Sequence, residues 1–418
     1  MVVEFREAVA FLRARDRLAS AGSPGDPHLG AARAIREAGG GALAQRVRGV
    51  EVVSGIVSRV TMAACLGVSE EALPLRLAEA MEAAPPPFRE GEARFEEAPG
   101  GSGSFSDLPV LTHFEGDGGP YLTGSVFFYA DPERGPNASF HRMMVLDDRR
   151  ASVRVVEGRG LHLALEASGG TRPVAVCLGT PIQVQAAASC PLAENKDELA
   201  VANVLSPTEV ASVEGIRVPA SSEIVLFGTL GNGTASEGPF VDVTGTPDIE
   251  RKQPVFVLER MLRREGFLYH AILPGGPEHR FLMGFPREAA IRRAVAGVCG
   301  VRAVRLTPGG CGWLHAVLVI EKEKDGDPET AGLEAFRAHP SLKHCVVVDG
   351  DIDPDDPMQV EWAVATRFQA DRDLTVLEDQ PSSSLDPSAR HLLGRRSTTA
   401  KTIVDATRKG GGPYDRVV

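Results

Sequence analysis

Between residues 110 and 285, seven runs of strand length follow one another: GSVFFYA, HRMMVL, ASVRVVE, RPVAVCLG, SEIVLFGTL, PVFVLERML and FLYHAILP, with Gly, Pro and Asp turns between them. Branched and aromatic side chains fit a pleated surface, whereas Gly and Pro punctuate it. So many successive strands must pair with one another, so a β-rich barrel or sandwich is expected at the centre, with one helix near DELAVANVL.

The pattern differs on either side. Phe5, Ala8, Val9 and Leu12 fall on one helical face, and a second helix is expected over 70–83, stopped by the prolines of APPPF, with the short run VEVVSGIV between them. This reads as a small N-terminal α/β domain over 1–105, bounded by the Gly-, Ser- and Pro-rich EEAPGGSGSFSDLP. The central β domain is expected over 106–290. After Phe285, REAAIRRAVAGV, WLHAVLVIEK, PETAGLEAFRAH, KHCVVVDGD and MQVEWAVATRF alternate between helix and strand. That order predicts a C-terminal α/β domain over 291–418, with a tail from Gln380 ordered by packing on another domain or on a cofactor. The expected fold class is thus α/β plus central β.

At 418 residues and 43% hydrophobic, the chain holds more apolar material than one core usually does, which fits this division. Its 45 basic and 56 acidic side chains give a net charge of −11, which repels phosphate backbones and anionic lipid. Neither nucleic acid nor a membrane is an expected partner. The opening MVVEFREAVAFLRARDRL carries charges too often for a signal sequence, and a cytoplasmic location is expected. The six cysteines are scattered without a CxxC pair, so buried thiols are expected rather than a zinc ribbon or disulfides.

Four stretches invite a chemical reading. DGDIDPDDP (349–357) imitates a calcium loop, but Pro354 stands where Gly is needed and Val360 where the last Glu should be, so a turn leading into a capped helix explains it better. The glycine-rich GGG (39–41), PGGSGS (99–104) and LPGGPEHR (273–280) match no nucleotide-binding pattern and read as turns. In EGPFVDVTG (237–245) a Gly-Pro turn can bring Glu237 and Asp242 toward one cavity, where mutual repulsion and desolvation suit paired acids to proton delivery. GPNASFHRMM (135–144) crowds Asn, Ser, His and Arg at the entry of an apolar run; an Asn oxygen joined by a His nitrogen and a Glu carboxylate would suit manganese or a magnesium-like ion.

Taken together, these stretches resemble the UbiD family of decarboxylases. The resemblance rests on Asn137 to Arg142 followed by a hydrophobic run and DD, VPASSEIVLFG (218–228), SEGPFVDVTG (236–245), VDGDIDPDDPMQVEWAVATR (348–367) and AKTIVDATRK (400–409), in the family's order. It implies a central split β-barrel that binds prenylated FMN. Asn137, His162 and Glu198 would hold a divalent metal, Mn2+, bridging to the flavin phosphate beside K+. Asn137, Ser139, Phe140, His141 and Arg142 would contact the cofactor, with Ser189, Cys190, Pro191 and Lys401; Ala188 stands where some relatives carry Ser.

Arg142, Glu237 and Asp242 would be catalytic. Arg142 would hold the substrate carboxylate by its guanidinium fork, Glu237 would return a proton to carbon, and Asp242 with Arg142 would form an ion-paired relay. A flavin is needed because no side chain can delocalise the electron pair left when carbon dioxide departs. The implied reaction is non-oxidative, reversible-type decarboxylation of an α,β-unsaturated acid. LPGGPEHRFLMG and GGCGWLHAVLVIEK resemble the compact archaeal branch, which implies trans-anhydromevalonate 5-phosphate as substrate and isopentenyl phosphate as product in an archaeal mevalonate pathway. Its phosphate would meet arginines of the N-terminal domain, or His279 and Arg280. Two alternatives stay open: an aromatic acid such as 4-hydroxybenzoate or its polyprenyl derivative, and a flavin-binding protein without decarboxylase activity. The implied partners are a flavin prenyltransferase as cofactor supplier and further copies of the chain, as a homodimer or hexamer.

Overall fold

The computed structural model describes residues 4–98, 103–131, 133–193, 196–391, 397–410 and 414. Residues 99–102 of the expected boundary, and 392–396 of the tail, lie outside that set. The chain divides into two compact units, Met1–Leu282 and Met283–Val418.

In the first unit, helix Phe5–Arg13 buries Phe5, Ala8, Val9 and Leu12, as their spacing requires. Helix Leu73–Glu82 has proline at its start, where the missing N–H costs nothing. A four-stranded sheet runs in the order Ala19–Ser20, Leu43–Val47, Val50–Ser54, Leu268–His270. The last strand corrects the sequence reading: FLYHAILP does not join the central β structure but pairs in parallel with Val50–Ser54. His270 explains the placement, since its buried ring lies 4.8 Å from that of Phe5 and 2.9 Å from Glu278 Oε1, which also accepts from the backbone N–H of Val57. Glu278 sits in the first turn of helix Pro277–Val295, which starts well before the expected REAAIRRAVAGV because Gly275, at positive φ, and Gly276 precede a proline at its first position.

The central sheet has nine strands. Eight run in the order Tyr121–Leu122, Met143–Val145, Arg150–Val153, Arg251–Arg263, Ile224–Glu237, Arg172–Leu178, Val126–Asp131 and Gly135–Phe140, and Glu96–Glu97 adds to Arg251–Arg263. The order does not return to its start, so this is no closed barrel. The last strand of that order, Gly135–Phe140, is nevertheless followed in the chain by the second, Met143–Val145, with only His141 and Arg142 between them. The sheet must therefore curl until its ends nearly meet, and these two residues step across the seam. Its core joins Phe127, Val176, Leu226 and Phe256 to Ile35, Leu43 and Val47 of the preceding segment.

The second unit is built on a five-stranded sheet, in the order Gly300–Leu306, His315–Glu321, His344–Asp349, Thr398–Asp405, Leu374–Pro381. Its central strands alternate in the side chains they bury. Leu318, Ile320, Cys345 and Val347 pack with Phe336 of helix Asp327–Ala338, while Val317, Val319, Val346 and Val348 pack with Val360 and Ala363 of helix Pro357–Arg367. DGDIDPDDP is the expected turn and cap. Asp356 caps the helix through Met358 N, and Asp351 pairs with the buried Arg367. Cys65, Cys177, Cys190, Cys299 and Cys345 are buried and not joined in disulfides.

His113 and His339 are buried, and they and the half-buried His141 are held neutral. Burial pushes His113 and His339 down to about 3, helped by Arg36 and Arg287 respectively, and His141 down to about 4. Unfolded histidine titrates near 6.5, so as pH falls below that value the unfolded chain gains protons that the folded one refuses. The stability these groups contribute is complete above about pH 6.5 and is lost toward pH 4. Two of them lie in the first unit and one in the second, and each makes the stability of its unit fall by about one proton's worth as pH drops from about 6.5 toward 4. Urea midpoints followed from pH 7 to 4 check this, and a His→Gln variant at each position should reduce the slope of its unit by one proton.

Candidate active site

The two ends of the curled sheet carry different chemistry. Gly135–Phe140 is an edge strand, paired on one side with Val126–Asp131, so half of its backbone groups need partners from elsewhere. One comes from helix Glu198–Leu205, whose first residue accepts the Ala138 N–H on Oε2 at 2.8 Å and the Asn137 amide on Oε1 at 3.2 Å. Asn137 lies opposite Tyr129 in the strand pair, and Tyr129 donates its hydroxyl to Asn137 Oδ1 at 2.6 Å. Burial raises Glu198 to about 8, against the opposing pull of these two hydrogen bonds, and Asp197 adds to the rise.

His162 is carried by helix Gly160–Ala167, whose first residue lies beside Tyr129 and Asn137. A side chain on Gly160 would meet the Tyr129 hydroxyl oxygen at 3.1 Å and Asn137 Oδ1 at 3.6 Å, which explains glycine there. His162 Nδ1 is buried and lies 3.4 Å from Glu166 Oε2 without forming a hydrogen bond. Among the described residues no three His, Cys, Asp or Glu side chains form a metal-binding group. The convergence here is of an amide with a carboxylate, beside the helix that carries the imidazole.

Helix Ile182–Ala188 packs against Glu198–Leu205 and the edge strand, which places the turn Ser189–Pro191 in the same neighbourhood. Ser189 donates to Ala186 O at 2.8 Å. Ser139 and His141 form a relay of their own: His141 Nδ1 must donate to the Arg154 carbonyl at 2.9 Å, so neutral Nε2 accepts from Ser139 Oγ at 3.0 Å. Phe140 pairs with Val126 across the strands.

One step further on, Arg142 crosses the seam into a nest of acids. Its Nε and Nη2 donate to Glu237 Oε1 and Oε2 at 2.8 and 3.1 Å, Nη1 to Asp242 Oδ2 at 2.8 Å, and Nη2 also to Asp248 Oδ2 at 3.1 Å. The long hairpin Ile224–Glu237 and Arg251–Arg263 delivers these acids. Its end loop folds into a smaller hairpin that pairs Phe240 with Asp248, and the Phe240 ring lies 4.3 Å from the Arg142 guanidinium. Gly238 turns the chain at φ 92°, where a Cβ would come within 2.9 Å of Ile249 O, so no other residue fits comfortably. Burial works to lower the Arg142 pKa, but Glu237, Asp242 and Asp248 outweigh it and hold the group charged.

Asp248 and Tyr121 were missed from the sequence. A hairpin drawn about Thr244 and Gly245 would have exposed the first, because it sets 248 against 240. Tyr121 comes from the far end of the sheet order; fully buried, it donates to Glu237 Oε1 at 3.1 Å and accepts from Gly238 N at 3.0 Å. Its ionisation is suppressed by burial and by Glu237. Tyr121→Phe is expected to cost about 1–3 kcal/mol, because the Gly238 N–H loses its acceptor, and to lower kcat by releasing one oxygen of Glu237; thermal denaturation and turnover measured on the same preparation check both.

Of the remaining expected residues, His279 is half-buried, with Nδ1 accepting from Gly275 N at 3.0 Å, and desolvation lowers its pKa against the pull of Asp242. Arg280 donates to Val243 O at 3.3 Å, beside the Asp242 loop. Lys401 lies in the second unit, buried, with Nζ on the Pro340 carbonyl at 2.7 Å.

Known proteins resemble this chain in sequence and fold. Residues 87–277 match the 3-octaprenyl-4-hydroxybenzoate carboxy-lyase Rift-related domain of UbiD, and residues 280–406 its C-terminal domain. Anhydromevalonate phosphate decarboxylase of Methanosarcina mazei is 38% identical over 97% of this chain and 96% of its own. The protein of the same name from Methanothermobacter thermautotrophicus is 42% identical over 86% and 85%. The UbiD-class enzyme HmfF from Pelotomaculum thermopropionicum, solved in complex with FMN, superposes with a TM-score of 0.92 at 32% identity over 99% of this chain and 97% of that one. With both domains matched in order and relatives of nearly equal length aligned end to end, the chain that gathers Glu237 and Asp242 on Arg142 belongs to the UbiD family of carboxy-lyases.

Proposed function

We propose that this protein decarboxylates trans-anhydromevalonate 5-phosphate to isopentenyl phosphate and carbon dioxide, with prenylated FMN as cofactor. The observation that carries the reading is the Arg142–Glu237–Asp242 cluster, built on the buried Glu237, in a chain whose full-length relatives are named anhydromevalonate phosphate decarboxylase.

The residues present fit the cofactor's anchor. An ionised Glu198 in this buried position has no cationic side chain among its hydrogen-bond partners, Asn137 supplies a neutral oxygen, and His162 Nδ1 is buried without a hydrogen bond. A divalent cation such as Mn2+ would satisfy all three, and these residues would hold it with the flavin phosphate and K+, while Ser139, Phe140, His141 and the turn Ser189–Pro191 would border the cofactor. When bound, the flavin supplies the electron sink that carbon dioxide loss requires.

The protein's own part is positioning and proton delivery. Bond cleavage leaves an electron pair on the carbon that carried the carboxylate, and one proton must reach that carbon. Glu237, the most buried acid of the cluster, is the donor, with Arg142 and Asp242 balancing its charge as it cycles. Arg142 uses four of its five N–H groups on carboxylates, so a substrate carboxylate takes the free Nη1 hydrogen and displaces Asp242, the most exposed of the three.

The phosphate end suits a cavity of about 380 Å3 lined by Arg36, Phe114, Val241, Gly245 and Gly275, which adjoins the Asp242 loop. No helix among the described residues is long and apolar enough to cross a membrane, in keeping with a cytoplasmic enzyme. The three-domain division at 105 and 290, a homodimeric or hexameric assembly and cofactor supply by a flavin prenyltransferase belong to the same reading. Protein made together with that prenyltransferase should show the mass of the prenylated flavin and release carbon dioxide from the phosphorylated acid. A higher kcat/KM for 4-hydroxybenzoate would replace the substrate, and hydride-dependent turnover without carbon dioxide release would replace the reaction.

A further inference from the structure

Arg142 meets a third carboxylate that balancing its charge does not require, because Glu237 and Asp242 already do that. The side chain of Asp248 is only 8% exposed, and Arg251 grips both of its oxygens, Oδ2 from Nη1 at 2.6 Å and Oδ1 from Nη2 at 2.7 Å. The pair Asp248–Arg251 is therefore neutral as a unit, and what it adds to the cluster is geometry.

That geometry can be read bond by bond. Glu237 takes the Nε–Nη2 edge of the guanidinium, Asp242 takes the Nη1 corner, and Asp248 takes the remaining hydrogen of Nη2 at 3.1 Å. A planar guanidinium fixed on three sides cannot turn without breaking charge-assisted bonds. Asp242 is the most exposed of the three carboxylates and sits on the short end loop, whereas Asp248 is tied through Arg251 to the long strand whose Cα is in register with Glu237.

We infer that Asp248, clamped by Arg251, is a positioning residue that fixes the plane of Arg142 and through it the carboxylate of Glu237. Asp248 acts only through Arg142, and Arg251 acts only through Asp248.

Asp248→Asn keeps the volume and removes the charge, and Arg251→Gln removes the clamp. In flavin-loaded enzyme each should lower kcat by about tenfold or more with KM within about threefold of wild type, and the double variant should be no slower than the worse single one. A crystal structure of Asp248→Asn should show Arg142 turned out of its bonds to Glu237. Wild-type kcat in Asp248→Asn, a lower kcat with the Arg142–Glu237 bonds intact, losses that multiply in the double variant, or a rise in KM at unchanged kcat would each overturn the assignment. If Asp248→Asn does not fold, the structure and kinetics of Arg251→Gln decide in its place. The kinetic comparison rests on the decarboxylase reading and the crystallographic one does not, so a wild-type enzyme that releases no carbon dioxide sinks that reading alone.

Discussion

Glu237→Gln is expected to lower kcat by about 10³-fold, within the range a positioned general acid supplies, while the enzyme still binds flavin and substrate. The glutamine fills the same fully buried volume and can still accept from Arg142 and Tyr121, so shape and most hydrogen bonds survive. What disappears is a group that can carry a proton. Arg142 keeps Asp242 and Asp248, so its charge stays compensated and the fold is not asked to bury a bare cation. Single-turnover carbon dioxide release from flavin-loaded protein separates this from a binding defect. A near-normal rate, with Asp242→Asn inactive instead, would exchange the roles of the two acids.

The second large effect is expected at the other end of the curled sheet. Glu198→Gln should weaken divalent cation retention by more than about 100-fold, since even outer-shell partners of a metal are worth about 10–100-fold. Flavin content should fall with it, because the cation is the proposed tether of the phosphate. The substitution should not unfold the protein, as glutamine can still accept from Ala138 N and meet Asn137. Metal and flavin content after gel filtration check this, and full retention of both would remove Glu198 from the anchor.

Much of this site was legible in the sequence, and the gaps have identifiable causes. Period-two apolar runs reveal strands whichever sheet they join, so FLYHAILP was recognisable as extended but its partner Val50–Ser54, more than 200 residues earlier, was not. Arg142, Glu237 and Asp242 were found because they sit within motifs that resemble a family. Asp248 and Tyr121 belong to no such motif, and they reach Arg142 or Glu237 only after the end loop folds back and the far strand of the sheet curls round. Helix Pro277–Val295 was placed late because its first turn, PEHR, is polar, and its apolar pattern begins beyond the Gly-Gly-Pro start.

The most direct test of the central claim uses flavin-loaded enzyme and trans-anhydromevalonate 5-phosphate in deuterated water, with carbon dioxide measured and the phosphorylated product read by NMR. The account requires carbon dioxide and isopentenyl phosphate in equal amounts, with one deuterium on the carbon that lost the carboxylate and the rate collapsing in Glu237→Gln. Loaded wild-type enzyme that releases no carbon dioxide, or a Glu237→Gln variant that matches it, would contradict the account.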